Sequence, residues 1–201
     1  MSNRRKQIVA ICQSAHFPYS FTVEQRLELR NEKGIAMNRP FSRMLGAFLF
    51  ALVADILSKY WAAAALTPFQ PRPVLGAFFR LTLGYNSGVA FSMFDESGKL
   101  PVILTGIIIF GGIVWAIYAL RRGEISATAA IPIGLIAGGA LGNFVDRLPD
   151  GHVTDFLDFG WGTWRFATFN LADSAIVLGT ILLMLLMLFE KEPSPTDTAA
   201  E

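Results

Sequence analysis

Four long apolar runs divide the chain: Met44–Leu66, Leu100–Leu120, Ala127–Val145 and Leu171–Phe189. Each is close to the roughly 20 residues a helix needs to cross about 30 Å of hydrocarbon. The pattern predicts four transmembrane helices. The second and fourth runs carry no internal charge, whereas the first contains Asp55 and Lys59. In the third, Gly134, Gly138 and Gly142 recur every four residues. That spacing lets helices approach closely, so packing is the expected use of the glycine row.

The stretches between the runs have their own pattern. Phe78–Tyr85 alternates in part and is rich in β-formers, Asn86-Ser87-Gly88 reads as a turn, and Val89–Phe94 reads as a returning strand. Later, His152–Phe159 and Thr163–Phe169 flank a turn at Gly160-Trp161-Gly162. Two small hairpins are expected at the membrane surface. Tyr60, Trp61, Tyr85, Trp161 and Trp164 would then sit at the interface, where aromatic rings are favoured.

The ends differ from the middle. Residues 1–36 are polar and mixed in charge, without the apolar core of a signal peptide. Val23–Leu29 there reads as a short helix. The abrupt change at Met37 points to a natural start at that residue. Residues 1–36 are therefore expected to be a disordered or non-native extension, 37–190 the membrane domain, and 191–201 a short disordered tail.

Composition agrees with the membrane reading. The 201 residues are 53% hydrophobic and only 16% charged, against about a quarter charged in ordinary soluble domains. A net charge of +1 makes no case for a nucleic-acid partner. Cys12 is the only cysteine, so neither an internal disulfide nor a thiolate metal site is available. His16 and His152 are far apart in sequence and make a poor metal pair. No metal and no cofactor is expected.

Charge also bears on orientation. Arg39 and Arg43 precede the first run, Arg121 and Arg122 follow the second, and Lys191 follows the fourth. Four spans would put all of these on one side, so both termini are expected to be cytoplasmic. Arg72, Arg80, Lys99, Arg147 and Arg165 on the other side weaken the bias.

The chemistry gathers at one edge. Asp55 and Lys59 are four apart, on one helical face in the favourable acid-before-base order. An ion pair pinning helix depth is their plainest reading. The loop before the fourth run, with that run's first turn, supplies Asp146, Asp150, Asp155, Asp158 and Asp173. Folding the segment about Trp161 sets Asp155 opposite Ala167 and brings it towards Asp173. Asp173 would lie in a first helical turn, where the helix dipole favours an ionised carboxylate. Asp155, between Thr154 and Phe156, would be less well solvated, which raises its pKa. Two such acids can share a proton, one activating water and the other protonating a carbonyl. Asp146, beside Arg147 and one turn after Asn143, reads equally as an ion-pair or capping group. Asp150 reads as a turn residue, and Asp158 as a surface residue facing away from Asp155. A proton-linked transporter subunit using Asp55, Lys59, Asp146 and Asp173 as a relay is the alternative. It expects acids spread through membrane depth rather than gathered at one edge.

At these residues the chain resembles lipoprotein signal peptidase (signal peptidase II), a family of bacterial membrane aspartic peptidases. Asp55–Lys59 is similar to the family's D-x-x-S/T-K element, and Asn86–Ser92 to N-x-G-x-A-F-S. Gly138–Arg147 is similar to G-G-x-x-G-N-x-x-D-R, Val153–Phe156 to V-x-D-F, and Phe169–Ser174 to F-N-x-A-D-S. Each motif alone is weak, but five in order on four spans is specific. The resemblance covers about residues 41–190. It implies a polytopic all-α membrane fold of four transmembrane helices with a small extracytoplasmic β-cradle. It implies a catalytic pair, Asp155 and Asp173. Asn86, Asn143, Arg147 and Asn170 fall on positions that line or support the substrate site, with Ala172, Asp146, Asp55 and Lys59 beside them. The implied substrate is a diacylglyceryl-modified prolipoprotein, cut just before its lipidated cysteine. The implied setting is the bacterial inner membrane, with the site near the extracytoplasmic face. Membrane lipids and globomycin-like cyclic peptide inhibitors are the other implied partners, and the chain is expected to act as a monomer. Two departures stand out: residues 1–36 have no match, and Thr154 replaces a residue that is often apolar.

Overall fold

The structure is a computed structural model that describes residues 23–88 and 100–189, with side chains for 39–88 and 102–189. The expected strand Val89–Phe94 and the expected disordered tail lie outside the described residues. The chain divides into two compact units, Met1–Ala36 and Met37–Glu201. The second unit holds all four apolar runs and every candidate site residue.

The elements in order are α1 (Val23–Ala65), β1 (Arg72–Leu75), β2 (Phe79–Asn86), α2 (Leu100–Arg122), a 3-10 turn (Ala127–Ala129), α3 (Ala130–Arg147), β3 (Val153–Trp161), β4 (Trp164–Arg165) and α4 (Leu171–Phe189). The Val23–Leu29 stretch is helical, as expected, within the longer helical range. Among the described residues, four helical segments are long and apolar enough to cross a membrane: Arg39–Ala65, Val102–Arg122, Ala127–Arg147 and Leu171–Phe189. Large apolar side chains such as Phe50, Leu57, Ile108 and Leu188 point outward, as they should on a surface solvated by lipid tails. The fold is thus a polytopic, mostly helical membrane architecture with a small sheet.

Glycine sets the helix packing. A Cβ at Gly134 or Gly138 would strike the backbone oxygens of Met44 or Phe48 on α1, and one at Gly142 would lie 2.6 Å from Asp55 Oδ2. The glycine row is therefore the contact line between α3 and α1. The adjacent face of α3 meets α4: a Cβ at Gly139 would lie 2.5 Å from the Ala172 oxygen, and one at Gly179 would lie 2.7 Å from the Pro132 oxygen. Helix α3 is the central helix, and its missing side chains bring two neighbours close to it.

Two apolar clusters mark the ends. Met44, Leu120 and Ala130 pack with Phe41 and Ile117 near the Arg121 end of α2, where Arg121 lies over the Phe41 ring. Ala62, Leu66, Leu83 and Phe156 pack with Leu171 where the sheet meets α1 and α4. The sheet is antiparallel in the order β1-β2-β3-β4. Its first hairpin is therefore β1–β2, turning at Gly76 with φ +55°, and β2's other described partner is β3.

A register change in β2 has a specific consequence. Leu81 pairs with Leu157, but Gly84 pairs with Asp155, so one extra residue lies between them on β2. A one-residue slip moves every later side chain to the opposite face. The bulge puts Asn86 opposite Val153, on the same face as Asp155. Without it, Tyr85 would occupy that position.

Candidate active site

Asp155 is buried on β3. Its Oδ2 accepts from Asn86 Nδ2 at 3.0 Å, and its Oδ1 from Asn170 Nδ2 at 2.8 Å. The second contact follows from strand pairing. Leu157 bridges Phe169, and the Phe169 oxygen accepts from the N–H groups of Phe156 and Leu157. That register carries Asn170, not Ala167, to Asp155. The hairpin turns at Gly162-Thr163, between the paired Trp161 and Trp164, with φ +61° at Gly162, rather than about Trp161. Burial raises the Asp155 carboxyl to about 6, and the charge of Asp173 adds to the rise. The two amide donors oppose it without cancelling it.

Asp173 sits in the first turn of α4. Its Oδ1 accepts from Asn143 Nδ2 at 2.7 Å, and its Oδ2 from the Asn170 backbone N–H at 3.3 Å. In return, Asn170 Oδ1 accepts from the Asp173 backbone N–H at 2.9 Å. This is a reciprocal capping box, which ties Asp173 to the start of the helix. Asn170 is fully buried and touches both carboxylates, so all four carboxylate oxygens have an N–H donor.

The orientation of these amides is not arbitrary. A backbone N–H only donates. Gly88 N–H donates to Asn86 Oδ1 at 2.9 Å, which turns the Asn86 NH2 towards Asp155. Asp173 N–H fixes Asn170 in the same way. Lys59 Nζ donates to Asn143 Oδ1 at 2.9 Å, which turns the Asn143 NH2 towards Asp173. Asn170 Nδ2 also donates to Asn143 Oδ1 at 3.1 Å.

Asp55 and Lys59 form the expected ion pair at 2.8 Å, nearly excluded from solvent. They do more than pin depth. Asp55 Oδ1 accepts from the Ala172 N–H at 2.9 Å, so α1 caps the first turn of α4. Lys59 also meets Asp146 Oδ2 at 3.3 Å. The same oxygen accepts from the Thr154 N–H at 2.7 Å, joining the end of α3 to the start of β3. Arg147 Nη1 donates to the Asn143 oxygen at 3.4 Å. Its guanidinium lies within Coulombic reach of Asp173, Asp155 and Asp146. Asp150 is the turn residue the sequence suggested, accepting from His152 N–H at 3.0 Å.

Asp158 departs from its expected surface position. It is buried, and Oδ2 accepts from Arg80 Nε at 2.9 Å and Thr82 Oγ1 at 2.7 Å. Arg165 grips Oδ1 from the other side through Nε at 2.9 Å and through Nη2. These donors hold the Asp158 carboxyl below the ordinary carboxylate range although burial opposes them. Arg80 and Arg165 come from strands on either side of β3, so only the register reveals the cluster. The Asn86–Gly88 contact, by contrast, was readable as an Asn-x-Gly turn.

The chain is similar to known proteins over most of its length. A family model described as signal peptidase (SPase) II matches residues 47–189. A lipoprotein signal peptidase of Coxiella burnetii is 40% identical over 148 residues, covering 73% of this chain and 90% of the relative. One from Syntrophomonas wolfei is 38% identical over 148 residues, covering 74% and 94%. One from Neisseria gonorrhoeae is 38% identical over 141 residues, covering 69% and 86%. A solved structure described as a bacterial membrane enzyme at 1.9 Å resolution superposes with a TM-score of 0.63 at 28% identity, covering 74% of this chain and 94% of that one.

Proposed function

Since the chain belongs to the signal peptidase II family, a family of aspartic peptidases of the bacterial inner membrane, we propose that Asp155 and Asp173 are its catalytic pair. The substrate is a diacylglyceryl-modified prolipoprotein, cut just before the lipidated cysteine. The observation that carries this reading is the shared Asn170, whose side chain holds Asp155 while its backbone and side chain hold Asp173.

The chemistry follows from the two environments. Asp155, raised to about 6 by burial, carries the shared proton. Asp173, at a helix N-terminus that favours negative charge, takes a proton from water as the water oxygen attacks the scissile carbonyl. Asp155 gives its proton to the carbonyl oxygen. The resulting diol collapses as Asp173 returns its proton to the departing nitrogen and Asp155 recovers its own. Asn86, Asn143, Arg147, Asn170 and Ala172 form the substrate-facing and supporting shell. Asp146, Asp55 and Lys59 brace it.

Membrane placement supports the same reading. A lipid-anchored substrate with an apolar signal helix is met within the bilayer, and both acids lie at the sheet end of the helices. The sheet faces the extracytoplasmic side, and both termini are cytoplasmic. Globomycin-like peptides bind across the pair, and the chain works as a monomer among its lipids. Single cysteines at Glu124 and Thr163, in a Cys12→Ser background, should react from opposite sides with an impermeant maleimide.

The deciding experiment is cleavage of a lipidated preprolipoprotein in detergent. Asp155→Asn and Asp173→Asn should each abolish it while remaining folded. Substantial cleavage by either variant would sink the assignment.

A further inference from the structure

Lys59 touches neither carboxylate of the pair through a hydrogen bond, yet it is wired to Asp173 through Asn143. Its ammonium has three donors and no acceptor. Three acceptors surround it: Asp55 Oδ2 at 2.8 Å, Asn143 Oδ1 at 2.9 Å and Asp146 Oδ2 at 3.3 Å. Lys59 is buried, hydrogen-bonded to Asn143 and ion-paired with the two carboxylates. Asn143 stands between this cation and Asp173 and donates to Asp173 Oδ1 at 2.7 Å. The Lys59 partner Asp55 holds the Ala172 N–H, one residue before Asp173.

We propose that Lys59 is a positioning residue that acts through the Asn143 amide to keep Asp173 the ionised member of the pair. This deepens the dyad reading above and rests on it. The cation can only donate, so Asn143 must offer its oxygen to Lys59 and its NH2 to Asp173. The positive charge on the carbonyl side polarises the amide and strengthens donation on the nitrogen side. The Lys59 charge also reaches Asp155, where burial outweighs it; the proton stays with Asp155, whose two amide donors are oriented by the neutral backbone N–H groups of Gly88 and Asp173. The charged groups within reach of Asp173 are Arg147 on α3 and Asp155 on β3, and behind Asn143 and Ala172 stand Lys59 and Asp55 on α1 and Asp146 on α3. Among them, the Lys59 ammonium bonds the side-chain amide that donates to Asp173.

The test is the pH–rate profile of cleavage, measured on detergent-purified full-length protein with the folded fraction determined at each pH. Lys59→Gln removes the cation. The acid limb of the profile, which reports the pair, should then move to higher pH by about one unit, the low end of what a neighbouring opposite charge confers. The fall should lie in kcat, with KM little altered. Where Lys59→Gln does not fold, Asn143→Ser carries the test. It cuts the link and leaves the Asp55–Lys59–Asp146 contacts standing, and the same upward movement is expected. A profile that superimposes on wild type and is merely scaled by the folded fraction overturns the proposal in either variant. Asp155→Asn and Asp173→Asn run alongside. If both are inactive and the limb stays put, the Lys59 role alone is wrong. If either still cleaves, the dyad reading fails first.

Discussion

Asn170 donates its side-chain amide to Asp155 Oδ1 at 2.8 Å. The same side chain's oxygen accepts the Asp173 N–H. One asparagine therefore solvates one acid and caps the helix that carries the other. Asn170→Asp keeps an oxygen for the Asp173 N–H but replaces the donor to Asp155 with a third carboxylate. The expected loss in kcat/KM is about 10²–10³-fold, comparable to removing a preorganised donor from an active site. Asn170→Ala should also weaken α4 by about 1–2 kcal/mol through the lost cap. Cleavage rates and thermal unfolding of both variants separate the two effects. An Asn170→Asp enzyme with wild-type rates would show that the donor is dispensable.

Asp155 makes stability depend on pH in an unusual direction. Its carboxyl is raised from 3.8 to about 6, so the folded state holds this proton more tightly than the unfolded state does. Its contribution to stability is therefore full below 3.8 and is lost as pH rises through about 6. At about 1.4 kcal/mol per unit, the whole effect is roughly 3 kcal/mol. The checking measurement is unfolding of wild type and Asp155→Asn in one detergent between pH 4 and 7. The gap between the two curves should change across that window in favour of the variant at higher pH. A constant gap would mean that the Asp155 proton is not retained.

The sequence made the helices legible because hydropathy is a one-dimensional signal. The apolar runs coincide with the spanning segments, and the Gly134–Gly138–Gly142 row is the α1–α3 contact. Asp155 and Asp173 met because a strand, a turn and a helix follow one another along the chain. What could not be read was register. The turn at Gly162 moved the partner of Asp155 from Ala167 to Asn170. The bulge before Gly84 decides which face Asn86 takes, and no composition signal marks it. Asp158 looked exposed because its partners, Arg80 and Arg165, lie on two other strands. Pairings of that kind depend on which residues become neighbours after the sheet forms.

The Asp158 cluster predicts a stability defect rather than a chemical one. Asp158→Asn removes the charge that Arg80 and Arg165 share and leaves two guanidiniums facing a neutral group. Breaking a buried pair in this way costs about 3–5 kcal/mol. The Asp158 carboxyl lies below its ordinary value. Its contribution is therefore present above about 4 and lost as pH falls further. Unfolding at pH 7 should show the deficit, and the deficit should shrink in strong acid. Specific cleavage activity per folded molecule should stay within a few-fold of wild type. Complete loss of activity in a folded Asp158→Asn protein would place Asp158 in the reaction after all.

Close packing at Gly142 gives a prediction that joins the helix contacts to the site. A Cβ there would lie 2.6 Å from Asp55 Oδ2 and 3.3 Å from its Cγ, so Gly142→Ala cannot be absorbed without moving Asp55. Asp55 holds both Lys59 and the Ala172 N–H. A displacement of about one ångström would thus be passed to the first turn of α4, and misplacement on that scale can cost about 10²-fold in rate. Overpacking itself should cost about 1–3 kcal/mol. Gly46, on the same helix as Asp55, has open space around it. Gly46→Ala should therefore be neutral or stabilising by about 0.5–1 kcal/mol at wild-type rates. Measuring cleavage and unfolding for both variants distinguishes a general sensitivity of the helices from a specific one. Equal effects at the two glycines would mean that Asp55 is not the link. A rate loss confined to Gly142→Ala would trace the path from the glycine row, through Asp55, to Asp173.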